Sequence, residues 1–431
     1  MEACSRALSG GGAFLYPLVV LASFGLGVLG VGVAEDVFRS VLRSRVFADR
    51  GKLRHDYVPE HLPHREGEVK RVASALAPAL RGEKPSNVLV YGPPGTGKTA
   101  VVRHVLSKLE ATRAGVRVKG VYVNAEHAGT PYRVAVEVGE ALGARMPFTG
   151  LSVGEVFDRI ARVASQEGAT YIVVLDEVDS LARKRGGAEV IHMLARVGEK
   201  LKTSKVSLVG VAGTSSPDDL GSGVRASLGE VEVSFPPYTG DQLRGILAVR
   251  AREAFNPGVL EGDVIPLCAD TAYKVGGYAR TAIDLLRAAG EVAERLGSSK
   301  VTSSHVYIAW EEVERDRVAD AVRALPLHSK LILASVLETT RAGKTTTGEV
   351  YRSYKQIASE LGLKPVTLRR VSGILAELNR AGVIAGEVVS MGRHGKTRII
   401  QLAVDRKALY KALSEDITLG ELVDTVEEKR G

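Results

Sequence analysis

Cysteine is nearly absent from this 431-residue chain: Cys4 and Cys268 lie far apart, and the sequence has no CxxC pair or Cys/His cluster. A disulfide framework and a zinc site are thereby excluded as organising elements. Charge is missing between Arg6 and Glu35, where the apolar run AFLYPLVVLASFGLGVLGVGV occupies residues 13 to 33. Acid is scarce over residues 323 to 412, which hold 16 Lys/Arg against 6 Asp/Glu. That segment carries a net +10 of a total of +8, so the remainder of the chain sums to −2.

The apolar run is long enough to cross a bilayer. Three readings of it stand open: a membrane or signal segment, a buried apolar extension, and a non-native stretch arising from a start site placed too far upstream. Its glycines and Pro17 weaken a packed helix, and nothing downstream, such as paired cysteines, suits export. The rest of the chain points to the cytoplasm rather than a membrane partner. The concentrated positive field of residues 323 to 412 points to a polyanion, most simply nucleic acid, against the alternative of a basic domain that is merely soluble.

With 45% hydrophobic and 25% charged residues the chain is of the globular class, and its length calls for two to four domains. Residues 87 to 100 read NVLVYGPPGTGKTA, followed by VVRHVLSKLE with helical spacing of Val101, Val102, Val105, Leu106 and Leu109. This is a strand, a phosphate-binding loop and a helix. All eight loop positions, Gly92, Pro93, Pro94, Gly95, Thr96, Gly97, Lys98 and Thr99, match the pattern, with Ala100 opening the helix. The glycines let backbone N–H groups surround phosphate oxygens, and the helix N-terminus adds its dipole. Lys98 is expected to reach the β and γ oxygens of ATP, and the Thr99 hydroxyl is placed to bind Mg2+.

Such a loop needs an acidic partner at the end of a neighbouring strand, and YIVVLDEVDSL (171 to 181) supplies it. Asp176 would hold Mg2+ directly or through water, and Glu177 has the reach to act as general base on a water aimed at the γ-phosphate. Asp179 reads as structural. A further apolar strand, KVSLVGVAG (205 to 213), follows, at whose end a polar side chain normally senses the γ-phosphate.

From residue 325 the pattern turns to short helices: PLHSKLILASVLETT (326 to 340), SYKQIASELG (353 to 362) and PVTLRRVSGILAELNRAG (365 to 382). The last two, joined at GLKP, form a helix-turn-helix signature. Pro365 is expected to begin the third helix, with Leu368, Val371, Leu375 and Leu378 on its inner face. Lys364, Thr367, Arg369 and Arg370 would then face a major groove. Residues 383 to 404 alternate as two strands joined at GRHGK, which completes a winged helix. The ribbon's Arg393, His394, Lys396 and Arg398 would reach phosphates or the minor groove. Protein docking is the alternative use of such a module.

The pair GPPGTGKT and LDEVD looks like the AAA+ ATPases. HDYVPEHLPHREGEV (55 to 69), VSFPPYTGDQLRGILAVRA (233 to 251) and GGYARTAIDLLRAAGEVAER (276 to 295) narrow the likeness. Together they resemble the archaeal origin-recognition and helicase-loader initiators, relatives of the eukaryotic origin recognition complex, over residues 36 to 412. The resemblance implies an α/β AAA+ core with a parallel sheet, a helical lid and a C-terminal winged helix. Its expected divisions are an apolar extension at 1 to 35, a base at 36 to 235, a lid at 236 to 322, a winged helix at 323 to 412 and an acidic tail at 413 to 431. It further implies that Tyr57 and Val58 pack on adenine, that Tyr238 and Arg250 border the nucleotide, and that Arg280 touches its phosphates. Residues 124 to 160 resemble an insertion that grips DNA in this family. The implied partners are double-stranded origin DNA, the replicative helicase and other protomers, with ATP or ADP and Mg2+ as cofactors, in a nucleoid-associated protein.

Two departures stand out. Gly213 occupies the sensing position where the family usually has asparagine, with only Thr214 or Ser215 nearby to replace it, which implies slow hydrolysis. Arg225 is the available arginine for action in trans on a neighbour's nucleotide, but its register is offset from the family's. Two other functions stay open: an ADP-locked DNA-binding scaffold, and a winged-helix transcription regulator with a P-loop.

Overall fold

A computed structural model describes residues 44–112, 115–147, 150–201, 203–341, 343–390 and 396–415. The apolar run, the wing tip at 391–395 and the tail from 416 lie outside them. Among the described residues no helix is long and apolar enough to cross a membrane.

The base is built on five parallel strands, β1 (Val88–Tyr91), β2 (Val118–Asn124), β3 (Thr170–Asp176), β4 (Lys205–Ala212) and β5 (Val231–Ser234), in the order β2-β3-β4-β1-β5. A parallel sheet is covered on both faces, so its strands are continuous apolar runs, and every residue of β3 is buried. Helices α1 (Glu66–Leu76) and α2 (Lys98–Ala111) cover one face, packing Val72, Leu76, Val101 and Val105 on Val90, Val174 and Val211. The other face lies under α3 (Pro131–Ala141), α4 (Val153–Glu167), α5 (Val178–Ala182), α6 (Gly187–Arg196) and α7 (Ser222–Leu228). There Val134, Phe157, Ile160 and Ile191 meet Leu89, Val173 and Leu175. Register aligns the strand ends: Tyr91 pairs with Ala212, and Asp176 with Val211. The loops after β1, β3 and β4 therefore converge at one carboxyl edge, where such sheets bind ligands.

The lid follows as α8 (Gly240–Ala254), α9 (Val264–Lys274), α10 (Ala279–Arg295) and α11 (Ser303–Arg323). Thr239 and Gln242 cap α8 reciprocally. Burial pushes the Cys268 thiol in this core up to about 12, which leaves it an inert apolar filler. Val46, Phe47 and Leu53 are buried in the lid core, although the sequence assigns them to the base. The rings of Phe47 and Phe255 lie 4.8 Å apart, and Gly290 makes the room, since a Cβ there would sit 2.4 Å from Phe47 Cζ.

The C-terminal module comprises α12 (Leu327–Thr339), β6 (Thr345–Thr346), α13 (Thr347–Glu360), α14 (Leu368–Arg380), β7 (Ile384–Ser390), β8 (Lys396–Leu402) and α15 (Arg406–Ser414). Its antiparallel sheet runs β6-β8-β7, a winged helix with one short strand that the sequence reading lacked. Helix α11 belongs to two cores: Val306 and Ala309 pack in the lid, Val318 and Val322 against the winged helix.

Two expectations about α14 are corrected. Pro365 does not begin the helix; Thr367 is its cap, accepting from the Arg370 N–H at 3.4 Å, and the chain reaches it through Val366, whose N–H donates to Tyr354 Oη at 3.0 Å. Leu368 is not buried with the inner face but 46% exposed, while Val371, Ile374, Leu375 and Leu378 are buried. At 3.6 residues per turn Leu368 lies within roughly 20° of the buried Leu375, so its exposure comes from its place as the first residue of the helix and not from the face it is on.

Candidate functional site

The convergent loops and the lid helices line an open cleft between base and lid. Its floor is the loop from Gly92 to Lys98. Gly97 has φ of 89°, and a Cβ on it would lie 2.7 Å from Tyr238 Oη, so only glycine lets the loop pass beneath the lid tyrosine. The lid also meets the loop through its backbone, as Ala279 N–H donates to Gly95 O at 3.0 Å. Pro94, Gly95, Gly97, Lys98, Thr99 and Ala100 line the cleft, whereas Gly92 and Pro93 contribute carbonyls to Lys98 and Thr96 bonds back to Pro93 O.

The Lys98 ammonium is held 2.7 Å from both Gly92 O and Pro93 O. Burial lowers it to about 8, against the attraction of Glu177 and Asp176. Asp176 is 4% exposed; its Oδ2 accepts from Thr99 Oγ1 at 2.8 Å and from Tyr122 Oη at 2.5 Å, and its Oδ1 from the Glu177 N–H at 2.9 Å. Glu177 adopts φ 54°, ψ 41°, a left-handed conformation rare outside glycine and a mark of stored strain. Burial first, then Asp176, Asp179 and Glu126, raise its carboxyl above the usual range. Such a shift suits a general base, which needs basicity near neutral pH.

Asp179 accepts from Gly213 N–H at 3.0 Å and from Arg183 at 2.6 Å, and so ties the acidic loop to the end of β4. Gly213 lines the cleft, and a Cβ there would make ordinary contacts of 3.7 Å with Asp179 Oδ2 and Glu177 Oε2. Neither Thr214 nor Ser215 lines the cleft. Thr214 Oγ1 donates to Ser216 O at 3.1 Å, and Ser215 is exposed.

At the opposite end, Tyr57 and Pro59 line the cleft and Val58 between them does not. Arg250 borders it with its guanidinium already engaged on Lys52 O (3.0 Å) and Tyr57 O (3.2 Å), and burial lowers its pKa. Tyr238 is 5% exposed, with burial raising its phenol. Arg280 lines the mouth beside Gly95. The residue that sequence reasoning missed is Arg65, 3% exposed, which donates to Thr96 O (3.2 Å), Pro236 O (2.6 Å) and Glu68 (2.6 Å). An arginine inside LPHREGEV gives no periodic signal, because its two carbonyl partners are 31 and 171 residues away.

Arg225 stands on α7 away from the cleft lining, paired with Asp218 (2.6 Å) and Glu232 (2.7 Å) of its own chain. The 124-to-160 stretch puts Val134, Val138, Phe157 and Ile160 into the core of the base.

In the winged helix, Lys364, Thr367, Leu368, Arg369 and Arg370 are exposed and form a rim at the head of α14. Tyr354, buried, accepts from Val366 N–H and bonds His328 Nδ1 at 2.8 Å, which fixes the turn in place. Arg398 lies on β8 with its Cδ over Gly386 and its Nε buried without a hydrogen-bond partner. Arg393, His394 and the side chain of Lys396 lie outside the described residues.

Comparison with known proteins agrees with this architecture. Residues 61–209 match the AAA ATPase domain, 244–311 the Cdc6 AAA+ ATPase-type lid domain, and 320–412 the CDC6 C-terminal winged helix domain. The ORC1-type DNA replication protein 1 of Aeropyrum pernix is 54% identical over 89% of this chain and 98% of its own length; that of Sulfolobus acidocaldarius is 43% identical over 90% and 98%. The solved structure of the Aeropyrum pernix ORC1 protein in complex with DNA superimposes with a TM-score of 0.79, covering 88% of this chain and all of that one. A P-loop facing an acidic pair, a lid seated on that loop and a winged helix joined through α11 thus place the chain in the family of ORC1-type DNA replication proteins, AAA+ ATPases of replication initiation.

Proposed function

We propose that the protein is an ATP-dependent initiator that binds double-stranded origin DNA through its winged helix and the 124-to-160 insertion, and helps recruit the replicative helicase at the nucleoid. In this reading ATP lies in the cleft with its phosphates over Gly95 to Thr99, Lys98 and Arg280 neutralising them and Glu177 polarising water. The donors Thr99 and Asp176 are hard oxygens, a set that fits Mg2+, which also binds through one or two carboxylates plus substrate phosphates. When bound, the cation supplies charge neutralisation at the β- and γ-phosphates.

The observation that carries the reading is α11. One rigid helix contributes Val306 and Ala309 to the lid and Val318 and Val322 to the winged-helix core, so a lid movement set by nucleotide displaces the DNA-facing rim. Gly213 favours slow hydrolysis, so that ATP acts as a switch more than as fuel. Binding of an origin duplex and of a scrambled duplex, with ATP and with ADP, tests it. Tighter binding to the origin sequence that changes with nucleotide supports the reading. Equal binding to both sequences at every salt and nucleotide state overturns it.

A further inference from the structure

We propose that Tyr122 is a positioning residue for the cation end of the cleft, its phenol and the Thr99 hydroxyl sharing one oxygen of Asp176 and so locking the plane of that carboxylate. The proposal rests on the reading of Thr99 and Asp176 as the cation-binding pair. Three donors reach Asp176 from three elements: Tyr122 Oη on β2, Thr99 Oγ1 on α2, and the Glu177 N–H at the end of β3. With its oxygens held from both sides, the carboxylate has no free rotation.

The geometry follows from register. Tyr122 pairs with Val174, and Asn124 with Asp176, so Tyr122 shares a sheet face with Asp176, on the side covered by α2. From α2 the guanidinium of Arg103 lies 4.0 Å from the Tyr122 ring centroid. Arg103 follows Thr99 by four residues, one helical turn, so the same helix face that brings the hydroxyl also clamps the phenol.

A hydroxyl has one proton and two lone pairs. Because Thr99 gives its proton to an oxygen that Tyr122 holds still, its lone pairs are presented toward the cleft in a fixed direction. Groups of this outer kind are worth about 10- to 100-fold in metal affinity.

The test is the affinity of a fluorescent ATP analogue for the full chain, titrated with Mg2+ and repeated in EDTA, for wild type, Tyr122→Phe, Arg103→Met and Asp176→Asn. Tyr122→Phe retains the ring and its packing. It is expected to raise the Mg2+ concentration for half-effect about 10-fold while affinity in EDTA stays within about twofold of wild type. Arg103→Met keeps the phenol but frees the ring, and is expected to shift the same midpoint about threefold, a smaller share of that outer-group effect. An unchanged midpoint in Tyr122→Phe alongside a shifted one in Asp176→Asn overturns the role of Tyr122 and leaves the cation pair standing. Midpoints unmoved in all three variants overturn both. Equal weakening of Tyr122→Phe in Mg2+ and in EDTA reduces the residue to a packing role and also overturns the proposal.

Discussion

The guanidinium of Arg65 lies 4.0 Å from the centroid of the Tyr238 ring, and the same group bonds Thr96 O in the phosphate loop and Pro236 O at the root of the lid. One buried cation thus joins the segment before α1, the loop and the lid hinge. Its charge is balanced by Glu68 and by the two carbonyls, which is what makes its burial tolerable.

Arg65→Ala is therefore expected to destabilise the protein by about 3 kcal/mol, because it strips the charged donor from two buried carbonyls and leaves Glu68 without its partner. Denaturant unfolding measures this. Arg65→Lys, which keeps the charge but not the planar fork, is expected to recover only part of the loss.

Glu177→Gln is expected to lower ATP turnover about 10²- to 10⁴-fold while nucleotide binding persists. The raised carboxyl pKa predicts a pH profile as well. A general base acts deprotonated, so hydrolysis increases as pH rises through that displaced pKa, above the ordinary carboxylate range. Steady-state rates across pH on wild type, with the rise absent from the variant's residual activity, check both points.

A Cβ at Gly213 would fit in ordinary contact with the carboxylates of Asp179 and Glu177. Gly213→Asn is expected to raise single-turnover hydrolysis about 100-fold, the lower value of one well-placed donor, and Gly213→Ala to leave it unchanged. A flat response in the asparagine variant would show that Gly213 is not the throttle.

The register of α14 is open to a stability test. Leu375→Ala removes a fully buried side chain and is expected to cost about 2–5 kcal/mol, whereas Leu368→Ala at the exposed rim should fall within about 0.5 kcal/mol of wild type.

The same rim is expected to dominate salt dependence. Each of Arg369→Ala and Arg370→Ala should flatten the slope of log affinity for duplex DNA against log salt by roughly 1, with sequence preference preserved if these residues grip phosphate. Arg370 also pairs with Glu377 at 3.5 Å, an exposed contact too weak to hold it from a phosphate.

What the sequence determined by itself was whatever depends on near neighbours: the phosphate loop between Val88 and Ala111, the acidic end of β3 at Asp176 and Glu177, and the order of base, lid and winged helix. Those features are written in runs of apolar residues and in fixed spacings of glycine, lysine and acid. Tertiary structure alone decided the rest. It brought Phe47 onto Phe255 across more than two hundred positions, set Arg65 beneath Tyr238, and turned Tyr122 toward Asp176. It also chose Ile374 over Leu368 for the core. The physical reason is common to all four. A side chain's role there is fixed by a partner far along the chain or by where a helix ends against its neighbours, and neither leaves a local period to be read.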